Sequence, residues 1–270
     1  MKDFKIKDGI LKKYIGKDEV VVIPDGVTRV EGRSFACNTV IRSVTVPDSV
    51  VSIRYSAFGS CSALTHVDLP NNITSIDSFV FFGCHSLKAV VIPNNVQVIG
   101  DHSFHDCYAL SNVVIPDSIS SIGCLAFENC RSLVSITIPN KIEFIDDNAF
   151  GRCDSLMKMF IPVGKLSLLK KLGKHVIRAA FRGCLIEYAD KIATEEDQGA
   201  FSEFIKPYLD VLGDLIIDNI RNIELVTRAK VITRGVGRDI LDRCTSVECK
   251  VALLNYINGS GCVDFDKLKL

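Results

Sequence analysis

Seven prolines, at Pro24, Pro47, Pro70, Pro93, Pro116, Pro139 and Pro162, stand 23 residues apart without exception. Phe35, Phe58, Phe81, Phe104, Phe127 and Phe150 keep the same period. So do Cys61, Cys84, Cys107, Cys130 and Cys153, with Cys37 one residue early. A fixed period in the twenties restricts a chain to a solenoid. One such repeat is too short to bury its own apolar face and must stack on its neighbours.

Each repeat reads as one coil. Before the proline runs a short alternating segment, as in Leu64-Thr-His-Val67-Asp-Leu69 or Leu133-Val-Ser-Ile136-Thr-Ile138. Alternation with a period of two marks a strand with one face buried. Proline ends it, because it has no amide hydrogen to give to a ladder. Asp or Asn with Ser, Asn or Gly then signals a turn. An aliphatic pair follows, such as Val50 with Ile53 or Ile119 with Ile122, and after it the Phe and, three residues on, the Cys. Stacked about 4.8 Å apart, the spacing of neighbouring strands, like residues form continuous columns. The expected fold is therefore an α/β solenoid. A right-handed repeat array carries a parallel sheet on one face, with seven strands ending at the seven prolines, and an α-helical C-terminal domain follows.

Bulk properties narrow the function. The chain has 270 residues, 47% of them apolar, enough for a large core. Its net charge is zero, whereas a general nucleic-acid binder needs a basic excess. Residues 18–162 hold nine basic and fifteen acidic side chains, a mild acidic balance. No stretch is apolar for the roughly 18–20 residues that span a bilayer, so membrane insertion is not expected. The start, Met1 to Gly16, interleaves Lys and Asp with single apolar residues and lacks the apolar core of a signal peptide. The expected location is cytoplasmic if Met1 is the native start, and the cell surface or exterior if a leader has been removed.

The segments "VTVPDSVVSIRYSAFGSCSALTHVDLP" and "VVIPDSISSIGCLAFENCRSLVSITIP" resemble bacterial leucine-rich repeats of the BspA, or treponemal, type. The resemblance covers residues 18–162. The opening "FKIKDGILKKYIGKDEVVVIPDGV" is similar to the usual start of such proteins, where a hairpin caps the first coil. Asp8-Gly9 fits its turn, which makes residues 1–17 an N-terminal hairpin cap. The resemblance implies a binding or scaffolding role without catalysis and carries over no catalytic residues.

After Pro162 the clock stops. Lys165 occupies an aliphatic column, and from Leu166 the apolar residues fall three and four apart, as in "LSLLKKL", "VIRAAFRGCLIEYADKI" and "FSEFIKPYLDVLGDLIIDNI". The last segment, "VITRGVGRDILDRCTSVECKVALLNYIN", reads as two helices joined near Thr245-Ser246 and looks like an ankyrin-like helical tail. Residues 163–270 are thus expected to form a helical domain that covers the apolar end of the last coil.

Eleven cysteines raise the question of disulfides or metal. Side chains in one column run parallel, a coil apart, whereas a disulfide needs facing Cβ atoms about 3.8 Å apart and a metal needs converging ligands. Buried, reduced, structural thiols are the expectation. His102, His105 and Cys107 suggest a catalytic cluster, but Cys107 belongs to the core column and a nucleophilic thiol needs an exposed, electropositive setting. Lys165, Lys170, Lys171 and Lys174 read as a solvated helix face. No Walker loop, Gly-x-Ser-x-Gly or His-Glu-x-x-His is present, and no cofactor or metal is expected.

The expected function is a non-catalytic module, monomeric, that presents a repeat surface to a protein or other macromolecule. The alternative is a structural solenoid that assembles end to end, with an enzyme a distant third. In each strand the residues two and four before proline should face outward. An early and a late strand place small polar residues there, Ser43 with Thr45 and Ser135 with Thr137. Others depart: His66 with Asp68, Ala89 with Val91, Asn112 with Val114, and Lys158 with Phe160. Apolar side chains on a face that should be wet mark a partner site, and these eight residues are the candidate surface.

Overall fold

The computed structural model describes residues 2–169, 172–180, 241–246, 249–250 and 252–253. Two compact units divide the chain, residues 1–180 and 181–270. The first holds the solenoid.

The chain enters as a hairpin of β1 (Phe4–Lys7) and β2 (Ile10–Tyr14), antiparallel, with Asp8 and Gly9 at its tip. Both tip residues have positive φ, 54° and 71°. That is the geometry of the tight hairpin turns for which Asp-Gly is selected.

Seven three-residue strands then precede the seven prolines, as the alternation predicts. They are β3 (Val20–Val22), β5 (Ser43–Thr45), β7 (His66–Asp68), β9 (Ala89–Val91), β11 (Asn112–Val114), β13 (Ser135–Thr137) and β15 (Lys158–Phe160). In every one the central residue is buried. Every pairing among them is parallel, with residues 23 apart opposite one another, such as Val44↔Val67.

Between them lies a second column: β4 (Arg29–Val30), β6 (Ser52–Ile53), β8 (Ser75–Ile76), β10 (Val98–Ile99), β12 (Ser121–Ile122) and β14 (Phe144–Ile145). These two-residue strands also pair in parallel at a spacing of 23, for example Ile99↔Ile122. They contain the second member of the aliphatic pair that the sequence shows after each turn. The hairpin joins this column, β2 lying parallel to β4.

The third side of each coil is built of turns. It is held by forward amide bonds to the next coil: Phe58 N–H donates to the Val80 carbonyl (3.0 Å), Phe81 to Ser103 (2.8 Å) and Phe104 to Ala126 (2.8 Å). The tight path needs left-handed residues. They recur nine residues after proline, at Arg33, Ser56, Phe79, His102 and Leu125, and thirteen after, at Cys37, Ser60, Gly83, Asp106, Asn129 and Arg152. For bulky Phe79 and Leu125 this backbone is an unfavourable choice. The hydrogen-bonded path shared by these five coils imposes it.

The core is the set of stacked columns. The six phenylalanines are all buried, and consecutive rings stack with centroids 4.9–5.5 Å apart. Tyr14 and then Phe4 of the hairpin extend this row at its start, with centroid separations of 5.3 and 5.1 Å.

The cysteine column satisfies backbone oxygens. Each thiol donates to the phenylalanine carbonyl of the preceding coil: Cys61 to Phe35, Cys84 to Phe58, Cys107 to Phe81, Cys130 to Phe104 and Cys153 to Phe127, at 3.0–3.3 Å. Burial pushes the Cys61 and Cys153 thiols up to about 12 and raises Cys84, Cys107 and Cys130 well above their ordinary value.

Cys37 departs from the expectation of a buried thiol. It is exposed, at φ 62°, because Asn38 takes the column position and Asn38 Oδ1 accepts the amides of Val40 and Ile41 (2.9 Å each). In the native protein at pH 8, a thiol-specific reagent should therefore label Cys37 rapidly and leave the five column thiols silent until unfolding. Peptide mapping that finds Cys107 modified as fast as Cys37 would contradict this packing.

After Pro162 a 3₁₀ helix, η1 (Val163–Leu169), and an α-helix, α1, over residues 174–180 remain within the first compact unit. Leu166, Leu169, Val176 and Ile177 are buried. His175 Nε2 lies 3.0 Å from the Phe150 carbonyl, the last in the phenylalanine series and the first with no column cysteine to serve it. In the second unit, residues 241–243, 249–250 and 252–253 are helical and residues 244–246 are not. The helical expectations for 181–240 and the ankyrin-like reading of the tail lie outside the described residues.

Candidate functional site

The eight candidate residues occupy the outer face of the proline-terminated strands. His66, Asp68, Ala89, Val91, Asn112, Val114 and Lys158 are exposed, and Phe160 is half-buried. The pleat explains this: the central residue of each three-residue strand points into the core, so its two neighbours point out.

The face is not one uninterrupted ladder. Hydrogen-bonded strands group as β3-β5-β7, β9-β11 and β13-β15. Within a group, the residue just before proline donates its amide to the next coil: Val46 to Asp68 (3.1 Å), Ile92 to Val114 (3.1 Å) and Ile138 to Phe160 (2.7 Å). At the two breaks the corresponding residues are Leu69 and Ile115. Both are only half-buried, where Val46, Ile92 and Ile138 are buried. The strand ladder is thus interrupted on either side of β9-β11, while Lys88 N–H still donates to the Thr65 carbonyl (3.3 Å) and Ser132 N–H to the Tyr108 carbonyl (3.2 Å).

This middle pair carries two of the exposed valines of the face. Ala89 lies opposite Asn112 and Val91 opposite Val114, with Val91 66% and Val114 49% exposed. Beside it, on β7, His66 Nε2 meets Asp68 Oδ1 at 2.9 Å, and Asp68 Oδ2 accepts the Thr45 hydroxyl at 3.2 Å. On the far side, Ser135 and Thr137 stand opposite Lys158 and Phe160. The structure therefore joins Ala89, Val91, Asn112 and Val114 in one unit. It places His66–Asp68 and Lys158–Phe160 in the flanking groups.

Two features of this face went unread in the sequence. Val20 and Val22 of β3 occupy the same outward positions and are 67% and 63% exposed. The rule of two and four before proline, applied to Pro24, finds them. The breaks beside β9-β11 have no such signal, since Leu69 and Ile115 resemble their column mates.

The other histidines sit on the turn side. His102 stacks on Phe79 with centroids 4.4 Å apart, and His102 Nδ1 lies 2.9 Å from His105 Nδ1. His105 Nε2 stands 3.5 Å from both Asp106 and Glu128 carboxylates. Burial and, after it, the neighbouring His105 lower the pKa of His102. Cys107 does not join them in a reactive cluster: its thiol is fully buried and bound to the Phe81 carbonyl. Among the described residues, no group of three or more His, Cys, Asp or Glu side chains is disposed to hold a metal ion. No described helix is long and apolar enough to cross a membrane.

Comparison with known proteins agrees with this architecture. The profile of the "BspA type Leucine rich repeat region" matches in six copies over residues 6–133 and 98–172. A leucine-rich repeat protein of T. pallidum is 30% identical, with a TM-score of 0.57, over 67% of this chain and 94% of its own. A leucine rich cell surface protein of Faecalibacterium prausnitzii is 29% identical, with a TM-score of 0.46, over 58% of this chain and 52% of its own. The pneumococcal vaccine antigen PcpA shares 22% identity and a TM-score of 0.50, over 66% of this chain and 42% of its own. No curated protein matches the chain at a significant level. With more than half its length matched by one repeat profile, the chain belongs to the BspA type leucine-rich repeat family.

Proposed function

We propose that the chain is a non-catalytic binding module whose partner, a protein, docks on the outer face of the proline-terminated strands at β9-β11. The observation that carries this reading is the pair of exposed valines, Val91 and Val114, set opposite one another on a rigid sheet. Paired exposed apolar side chains keep a cost in water that a partner relieves. A rim of His66, Asp68, Ser135 and Thr137 supplies hydrogen bonds and orientation, the usual order of an apolar centre and a polar border. The parallel backbone beneath keeps this surface pre-organised, so little ordering entropy opposes binding.

Affinity capture from the host lysate, followed by titration of the purified captured protein, tests the reading. The Val91→Asp/Val114→Asp double variant should fold normally, because both side chains face solvent. It should lose capture and at least about tenfold in affinity, since two buried and unpaired carboxylates are costly in an apolar contact. An unfolded double variant would place these side chains in the core. Unchanged affinity with an intact fold would move the site elsewhere.

A further inference from the structure

The seventh proline keeps the turn of the other six and changes its cargo. The third residue after proline is Val27, Val50, Ile73, Val96, Ile119 or Ile142 in six coils, and all six are buried. In the seventh it is Lys165. The backbone turn is retained: Lys165 N–H donates to the Pro162 carbonyl at 2.8 Å, just as Val96 does to Pro93 (3.0 Å) and Ile119 to Pro116 (3.2 Å). An ammonium cannot follow the aliphatic column into the core without losing its hydration. Leu166, the next residue, is the one buried, and Lys165 is left half-exposed at the wall of a groove.

That groove has a volume of about 360 Å³ and is lined by Gln97, Ser118, Ser120, Lys141, Glu143 and Lys165. It runs along the corner between the two strand columns. Its walls are the second and fourth positions after proline in the fourth to sixth coils, and the third position in the seventh. In the first coils those positions hold Gly26, Ser49 and Asn72, and Thr28, Val51 and Thr74, none of them charged. In the sixth they become Lys141 and Glu143, and the seventh coil adds Lys165. At the second and fourth positions charge is therefore confined to the end of the row, while the position directly after proline carries Asp25, Asp48 and Asp117 in earlier coils. Among the described residues neither lysine nor Glu143 closes an ion pair within 4.0 Å.

We propose that this groove, with Lys141 and Lys165 at its charged end, is a second binding site that takes an acidic sugar: a hydroxyl-bearing ring with one anionic group. The chemistry follows from the lining. Two ammonium groups and one carboxylate leave a single positive charge, which suits a monoanion. The Ser118 and Ser120 hydroxyls donate inward, to the Val96 and Gln97 carbonyls at 2.6 and 3.2 Å. Their lone pairs and the Glu143 carboxylate remain to accept from ligand hydroxyls, and the Gln97 amide can do both. The volume lies in the ordinary range for small-molecule sites.

Isothermal titration of the full chain with glucuronate, glucose 6-phosphate, glucose and inorganic phosphate tests this. Glucuronate should bind, more weakly as salt rises, and uncharged glucose should not. Lys165→Leu restores the aliphatic residue of the other six coils, so it should keep or raise thermal stability while weakening glucuronate about tenfold or more. Lys141→Gln should weaken it similarly. Binding of glucose 6-phosphate with the same variant sensitivity would extend the anion to phosphate and support the site. Equal binding of inorganic phosphate alone would overturn the sugar assignment. So would glucose binding as well as glucuronate, unchanged affinity in Lys165→Leu, or no heat with any probe. The Val91→Asp/Val114→Asp variant should bind glucuronate like the wild type, which keeps this site separate from the sheet face.

Discussion

Phe104→Ala should lower the unfolding free energy by about 3–5 kcal/mol, the usual cost of emptying a phenylalanine site in a rigid core. Phe104 is fully buried and stacks on two rings, Phe81 at 5.3 Å and Phe127 at 5.2 Å. Its amide is also tied forward to Ala126 and its carbonyl receives the Cys130 thiol at 3.3 Å. Neighbours held on both sides by backbone bonds cannot collapse into the vacancy, which puts the cost toward the upper end. In a solenoid, stability is close to a sum of coil terms and nearest-neighbour interfaces. A central deletion damages two interfaces. Phe150→Ala, whose ring stacks on Phe127 at the end of the row, should therefore cost less, and Phe104→Leu only about 1.5 kcal/mol or less. Urea unfolding of the three variants measures the order. A Phe104→Ala loss no larger than that of Phe150→Ala would mean that the ring column is not the interface that carries coil-to-coil stability.

The strand column and its outward residues were legible because two independent signals coincide there. Alternation shows which side chains of Leu64–Leu69 face in, and Pro70 shows where the strand must stop. The second column of strands was not legible. Ser75-Ile76 or Ser121-Ile122 is too short to display a period, and only stacking against the next coil makes it a strand. The left-handed positions were hidden for another reason. Arg33, Ser56, Phe79, His102 and Leu125 share no chemistry and include no glycine, so the conformation is imposed by the path of the coil and not by the residue. The cysteine column was half legible. Burial followed from the period, while the role of each thiol as donor to a phenylalanine carbonyl 26 residues earlier appears only once the coils are stacked. At Cys37 a shift of one residue, with Asn38 in the column, turns a core thiol into a surface one. At the candidate surface, the exposure of Val91 and Val114 was legible. The strand breaks that set β9-β11 apart depend on how deeply Leu69 and Ile115 settle, which composition does not reveal.

Cutting the chain after Pro162 should cause aggregation, whereas a chain ending at Ala180 should not aggregate. A solenoid's last coil has an apolar face with no successor, and something must cover it. Residues 163–180 belong to the same compact unit as the coils. They bury Leu166, Leu169, Leu172, Val176, Ile177, Ala179 and Ala180, and η1 packs beside β14. They also finish the hydrogen bonding. Five phenylalanine carbonyls, from Phe35 to Phe127, each receive a cysteine thiol, and the sixth, on Phe150, faces His175 Nε2 at 3.0 Å instead. A chain ending at Pro162 leaves that carbonyl and the end of the aliphatic columns open, along with the free edges of β14 and β15. Open edges and exposed apolar ends both favour stacking of one chain on another. Light scattering and thermal unfolding of the two truncated chains separate the possibilities. If the chain ending at Pro162 stays monomeric and melts with the full-length protein, the coils close themselves and residues 163–180 are not a cap. If both truncated chains aggregate, residues beyond Ala180 are needed to finish the cover.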